Sequence, residues 1–235
     1  MPSTPKLSIQ NGILAALPVE EYDRLLKHLT PVSLPLGETL YQPGEKIDYV
    51  YFVNTGVVSL VATLKDGSVE VGLLGNEGMV GFSIALGDDL SPNHAIVQIA
   101  DGAMRMSAAT LREELKRDGQ LLPLLLRSTL LMMKQVSQTA VCNSSHAIGQ
   151  RLARWLLMCH DRVLGDELKL TQEFISQMLG TRRAGVSEAA TLLQGDGLIK
   201  YSRGHITILN RAGLEEFACE CYAIVRDEAE RLFGQ

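Results

Sequence analysis

The 235-residue chain has no excess of positive charge: 22 Lys and Arg stand against 27 Asp and Glu, a net −5. Taken alone, that argues against a nucleic-acid partner, whose phosphates attract basic surfaces. Cysteine is scarce as well, with four in all, at positions 142, 159, 219 and 221. Their spacing matches neither a zinc motif nor a secreted disulfide framework. Read as two positions of one helix, Cys219 and Cys221 face different ways and make poor joint ligands. No metal is therefore expected, and reduced thiols in the cytoplasm are. Long apolar runs are missing too. The richest, Leu121 to Met133, is interrupted by Arg127 and is too short to cross a bilayer. No basic stretch followed by an apolar core opens the chain, which predicts no signal peptide. A phosphate-binding Gly loop with Lys, a nucleophile elbow and a His/Glu pair at zinc spacing are all absent. Gly75-Asn76-Glu77-Gly78 is a turn signal and weak as a phosphate loop. An enzyme is not expected.

What is present is an ordinary globular composition, 46% apolar, enough for a core. The charge is unevenly spread. Residues 147–212 hold nine Lys/Arg and six Asp/Glu, a balance of +3, while the segments before and after each come to −4. A basic stretch between acidic ones is compatible with DNA binding.

Two halves differ in pattern. Tyr49 to Val53 reads as a strand ending in the Asn54-Thr55-Gly56 turn. Val57 to Leu64, Val69 to Leu74, Ala95 to Ile99 and Ala103 to Ser107 follow, with Lys65-Asp66-Gly67-Ser68 as a further turn. Short strands at even spacing predict a small antiparallel barrel or roll. From Ala108 the period becomes helical. Leu122, Leu125, Thr129, Met132, Val136 and Thr139 recur three and four apart, a seam for a second subunit. Leu121, Leu124, Leu126, Leu131 and Met133 form another apolar face, assigned to the strand domain. Asn143-Ser144-Ser145 favours a turn and marks the hinge. Ile148 to Val163 then resumes as an amphipathic helix.

The most informative stretch is Leu170 to Ile208. Thr171 can cap a helix to Leu179, ended by Gly180. Thr181 can cap a second helix from Arg182 to Gln194. Ile175, Leu179, Val186, Ala190 and Leu193 form their shared core. Gly195-Asp196-Gly197 stops the second helix, and a hairpin follows around Ser202-Arg203-Gly204. Helix, turn, helix and hairpin make a winged helix-turn-helix. Its second helix would enter the major groove with Thr181, Arg182, Arg183 and Ser187 at the base edges. Thr171 and Gln172 are placed for phosphate, and Lys200 and Arg203 on the wing for the adjacent backbone. A final helix is expected from Arg211 to Phe233, packed on the wing domain through Leu214, Phe217, Cys221 and Val225.

The run Thr171 to Val186, with Leu198-Ile199 after it, resembles the helix-turn-helix of the Crp/Fnr family of bacterial transcription regulators. Tyr41-Gln42-Pro43-Gly44-Glu45, Val50 to Val53 and Gly56-Val57-Val58-Ser59 resemble the start of that family's sensor roll. The resemblance spans nearly the whole chain. It implies an α+β protein: an N-terminal antiparallel β-roll like a cyclic-nucleotide-binding domain (1–120), a long dimerisation helix and hinge (121–146), and a C-terminal winged helix-turn-helix with an extra helix (147–235). It also implies a homodimer on a palindromic operator in double-stranded DNA, with a small effector sensed by the roll and RNA polymerase a candidate partner. No membrane association is expected. The alternative is a ligand-sensing module whose helix-turn-helix contacts protein.

Departures from the family pattern bear on the effector. Cyclic-nucleotide-binding members carry a Glu for the ribose after the Gly-rich segment and an Arg-Ser pair for the phosphate. Here Gly81 is followed by Phe82, and Asn93-His94 occupies the region of the pair. Neither Phe82 nor Asn93 offers charge to an anion, so cyclic AMP is not expected as a tight ligand. Gly81, Phe82, Asn93 and His94 remain the candidate effector positions. No cysteine precedes Cys142, so an N-terminal iron–sulfur cluster is not supported. No cofactor is expected, with haem left open. Ala184 and Glu188 depart from the best-known recognition helix, so a different operator is expected.

Overall fold

A computed structural model describes residues 11–65 and 67–233. Asp66 of the expected Lys65–Ser68 turn, and the ends of the outer two expected domains, lie outside them. Two short helices come first, α1 (Gly12–Ala15) and α2 (Val19–Leu26). Asn11 caps α1, accepting from the N–H groups of Ile13 and Leu14. Its amide donates to the carbonyls of Val53 and Gly78 at 2.8 and 2.9 Å, so a fully buried polar residue leaves no donor unpaired.

Eight strands follow: β1 (Thr30–Leu34), β2 (Thr39–Tyr41), β3 (Tyr49–Val53), β4 (Val57–Leu64), β5 (Gly67–Leu74), β6 (Met79–Val80), β7 (His94–Ile99) and β8 (Asp101–Ser107). They form two antiparallel sheets, ordered β1-β8-β3-β6 and β2-β7-β4-β5. The expected roll is therefore present, with β1, β2 and β6 added to the five strands legible in the sequence. Two of those three are too short to show alternation, and Pro31 disguises β1. As an edge strand, β1 tolerates a residue that cannot donate to the ladder. Val50, Phe52, Val58, Val97 and Met106 fill the space between the sheets.

α3 (Ala108–Leu115) is capped by Ser107 and leads to α4 (Leu121–Ser145), 25 residues long. Pro123 stands in its first turn, where the missing N–H costs nothing. The expected turn at Asn143 to Ser145 does not form. The hydroxyl of Ser144 donates to the Val141 carbonyl at 2.9 Å, a bond that lets serine stay helical. The helix ends at His146, which is extended.

The expected seam on α4 is also corrected. Leu125, Thr129 and Met132 are buried within this chain, beside Leu121, Leu124 and Leu131. The exposed apolar stripe runs instead through Leu126, Leu130, Met133, Val136 and Val141. A helix apolar on several sides carries more than one three-and-four series, and spacing alone does not say which series meets the roll.

α4 lies on β5, whose outer edge has no partner strand among the described residues. Gln135, 1% exposed, supplies the pairing: its side chain accepts from the N–H of Leu73 at 2.6 Å and donates to the Leu73 carbonyl at 3.2 Å. The approach is close at Gly72, where an added Cβ would sit 2.8 Å from the Met132 sulfur.

α5 (Ile148–His160) stops three residues before the expected Val163. It is not one-sided either. Every residue from Leu152 to Cys159 is buried, because α5 lies between Val57, Val61 and Leu73 of the roll and the C-terminal elements. Beyond it come β9 (Glu167–Lys169), α6 (Gln172–Met178), α7 (Arg183–Gly195), β10 (Ile199–Ser202) and β11 (His205–Ile208). The expected single C-terminal helix is two: α8 (Arg211–Phe217), capped by Asn210, and α9 (Cys221–Phe233). Extended Ala218 breaks them, and the break lets α9 fold back along α4 rather than onto the wing. Cys219 thus lies in the break while Cys221 opens α9, so the two thiols converge, against the one-helix reading. No helix of the described residues is long and apolar enough to cross a membrane.

Candidate nucleic-acid interface

The helix-turn-helix is built from local signals. Thr171 Oγ1 accepts from the Phe174 N–H at 3.2 Å, capping α6 as expected. At the other end Gly180 takes a left-handed φ of 57° and the N–H of Thr181 reaches the Ser176 carbonyl at 2.9 Å. That backbone bond closes the last turn of α6. α7 starts one residue later than expected, with extended Arg182 at the cap position and no side-chain capping bond. Ile175, Leu179, Val186, Ala190 and Leu193 are all buried between the two helices.

The wing is a hairpin of β10 and β11 with Arg203 and Gly204 at its tip, φ 49° and 82°. Positive φ at both central residues matches the twist of a two-residue hairpin. It presents the Arg203 side chain outward at the tip. The three residues of β9 add a third strand on β11, one the sequence reading missed. The wing tip meets the start of α6. The Leu170 N–H donates to the Gly204 carbonyl at 2.8 Å, and Tyr201 donates to the Leu170 carbonyl at 3.1 Å.

Arg182, Arg183, Lys200, Arg203 and Thr171 are exposed, together with Ala184 and Glu188. Burial pushes the Tyr201 hydroxyl up, against the opposing pull of the Arg183 charge. Two expected contact residues are engaged with each other: the half-buried Ser187 hydroxyl donates to Gln172 Oε1 at 3.2 Å. They tie α7 to α6. Thr181 is half-buried and, with Arg182, borders a cleft shared with Lys65, Ser68 and Val69 of the roll. Gln177 donates to Ser68 across that cleft.

The candidate effector residues fall on two elements. Gly81 takes φ 91° before a single 3-10 turn, Phe82–Leu86. A Cβ at Gly81 would lie 3.0 Å from Val50 and 3.2 Å from Ile47, and Phe82 packs against the roll core. His94 opens β7 with Nε2 3.0 Å from Thr39 Oγ1, and the Asn93 carbonyl accepts from Ser91. A cavity of about 210 Å³ lies elsewhere, among Glu77, Leu131, Arg162 and Tyr222.

Sequence reasoning missed the polar pairs that join the roll to α5 and the turn after it. Arg162, buried, holds Glu77 at 2.8 Å and so clamps the Gly75–Gly78 turn. The Trp155 indole donates to Glu70 Oε1 at 2.9 Å. Burial pushes the Glu70 carboxyl up to about 7, against the pull of hydrogen bonds and of Arg154 and Arg162. Each pair spans 85 residues, and no local signal announces it.

Residues 31–118 match the family model of the cyclic nucleotide-binding domain, and residues 150–217 match that of the Crp-like helix-turn-helix domain. No curated protein matches the chain. Among solved structures, FixK2 from Bradyrhizobium japonicum is similar, with a TM-score of 0.69 at 21% identity over 81% of this chain and 98% of that one. A CRP-family transcriptional regulator from Thermus thermophilus gives 0.65 at 22% identity, covering 80% and 96%. A crp/fnr-family regulator from Eubacterium rectale gives 0.64 at 19%, covering 87% and 96%.

Proposed function

The chain belongs to the Crp/Fnr family of bacterial transcription regulators, and on that basis we propose that it acts as a homodimer on a palindromic operator. The observation that carries this reading is the exposed first turn of α7, with Arg182 and Arg183, standing beside a wing that presents Lys200 and Arg203. An arginine there can give two parallel hydrogen bonds to a guanine edge, while the wing cations and the start of α6 meet phosphate.

The stripe Leu126, Leu130, Met133, Val136 and Val141 supports a second copy as the partner of α4. Two copies paired there would set their recognition helices a fixed distance apart. Productive binding wants about 34 Å, one turn of the duplex. The roll would report its effector through the Glu77–Arg162 and Glu70–Trp155 contacts, since a ligand acts by favouring one arrangement of such contacts. Half-buried Phe82, packed against the roll core, and uncharged Asn93 support an effector other than cyclic AMP. RNA polymerase is the further partner this reading implies.

The test is a selection of bound duplexes from a random pool by the purified protein. A two-fold symmetric consensus is expected. Recovery of no preferred sequence at low ionic strength from a folded dimer would refute the proposal.

A further inference from the structure

Cys142, His146, Cys219 and Cys221 bring their ligand atoms within 4.8 Å of one another. Cys142 and His146 are four apart at the end of α4 and so share a face. Cys219 and Cys221 come from the break between α8 and α9. We propose that these four side chains form a site for one zinc-class divalent ion, against the expectation from spacing that no metal binds.

The geometry fits a single tetrahedral centre. Zinc–sulfur bonds of about 2.3 Å and zinc–nitrogen bonds of about 2.0 Å place neighbouring ligand atoms roughly 3.6–3.8 Å apart. Cys142 Sγ lies 3.5 Å from Cys219 Sγ, and Cys221 Sγ lies 3.5 Å from His146 Nδ1. The outer contacts are those a metal-bound set needs. Glu220 stands 3.3 Å from His146 Nε2, which fixes Nδ1 as the free nitrogen, and Gln138 donates to Cys221 Sγ at 3.1 Å. All three thiols are buried. Four protein ligands leave no open position, so the site holds structure rather than activating water. Each cysteine binds as thiolate and gives up its proton on loading. The ion ties the last turn of α4 to the α8–α9 break, and this assignment does not rest on the DNA-binding reading.

The experiment measures metal content and cobalt spectra on the full-length chain, purified without oxygen or chelator. One zinc per chain is expected. After chelation, cobalt(II) should give the visible bands of a tetrahedral ion and sulfur-to-cobalt charge transfer. Cys142→Ser and Cys219→Ser should each lose stoichiometric metal, while Cys159→Ser, a buried cysteine outside the cluster, keeps it. The proposal is overturned if reduced, folded wild-type protein takes up neither zinc nor cobalt, or if stoichiometric metal persists in both Cys142→Ser and Cys219→Ser. It is equally overturned by an iron–sulfur chromophore, or by a Cys142–Cys219 disulfide whose reduction restores no metal uptake. Cobalt titration of wild type decides the matter even where a variant fails to fold.

Discussion

Replacing Glu70 by Gln should remove most of the protein's loss of stability between mildly acid and mildly alkaline pH. Glu70 lies on β5 beneath α5, 7% exposed, with Oε1 accepting from Trp155 and Oε2 lacking a partner among the described residues. Arg154, Arg162 and the Cys159 thiol are the other titratable groups coupled to it. Burial raises its carboxyl from the ordinary 4.5 to about 7. An acid whose folded value is raised stabilises the fold fully below the unfolded value, and that advantage is lost as pH climbs through the folded one. Between pH 5 and 8 the difference is about 2.5 kcal/mol, from 1.36 kcal/mol per tenfold change in proton affinity. Gln keeps an acceptor for the indole and never ionises. The assay is urea unfolding followed by the fluorescence of Trp155, the single tryptophan, which sits at the contact itself. Wild type and Glu70→Gln with equal pH slopes would refute the argument.

Four further outcomes are expected. Arg183→Ala should weaken the selected operator by roughly 1–3 kcal/mol and relax preference at one base pair, read by competition with single-substituted duplexes. Binding of wild type to that operator should fall on the order of 10³-fold between 50 and 200 mM salt, and a flat response would point to protein rather than DNA contact. Leu130→Glu, at a position 47% exposed, should leave folding intact yet raise the dimer Kd roughly 100-fold, about 3 kcal/mol, in sedimentation equilibrium. Isothermal calorimetry with cyclic AMP should give no micromolar binding, and a clear heat of binding would show that Phe82 and Asn93 do not decide the matter.

The parts legible in the sequence are those whose causes are local. Alternation gave β3 to β5, β7 and β8, and Thr171, Gly180 and the paired glycines around Asp196 set the helix-turn-helix to within a residue or so. The start of α7 slips by one residue: extended Arg182, not Thr181, stands at its cap position. Faces were harder than elements. Leu125 and Leu126 are equally apolar, yet one is 2% and the other 44% exposed, because the roll covers only one side of α4. Least legible were groups joined only by folding. The Glu70–Trp155 and Glu77–Arg162 pairs fall in this class, and so does the thiol cluster. A Cys and a His four apart next to a helix end, with a Cys-x-Cys elsewhere, was the available clue. The assumption of an unbroken helix past Phe217 hid it.

The two bonds from Gln135 to the Leu73 backbone have a mechanical corollary. Advancing α4 by a single residue along its axis, about 1.5 Å, would tear both and leave strand-edge groups dry and unmatched. Spine and sensor therefore travel as one piece. On the proposed function, a signal from the roll would reach the reading head through the Glu70–Trp155 and Glu77–Arg162 contacts and the packing of α9 on α4, not by α4 sliding over β5.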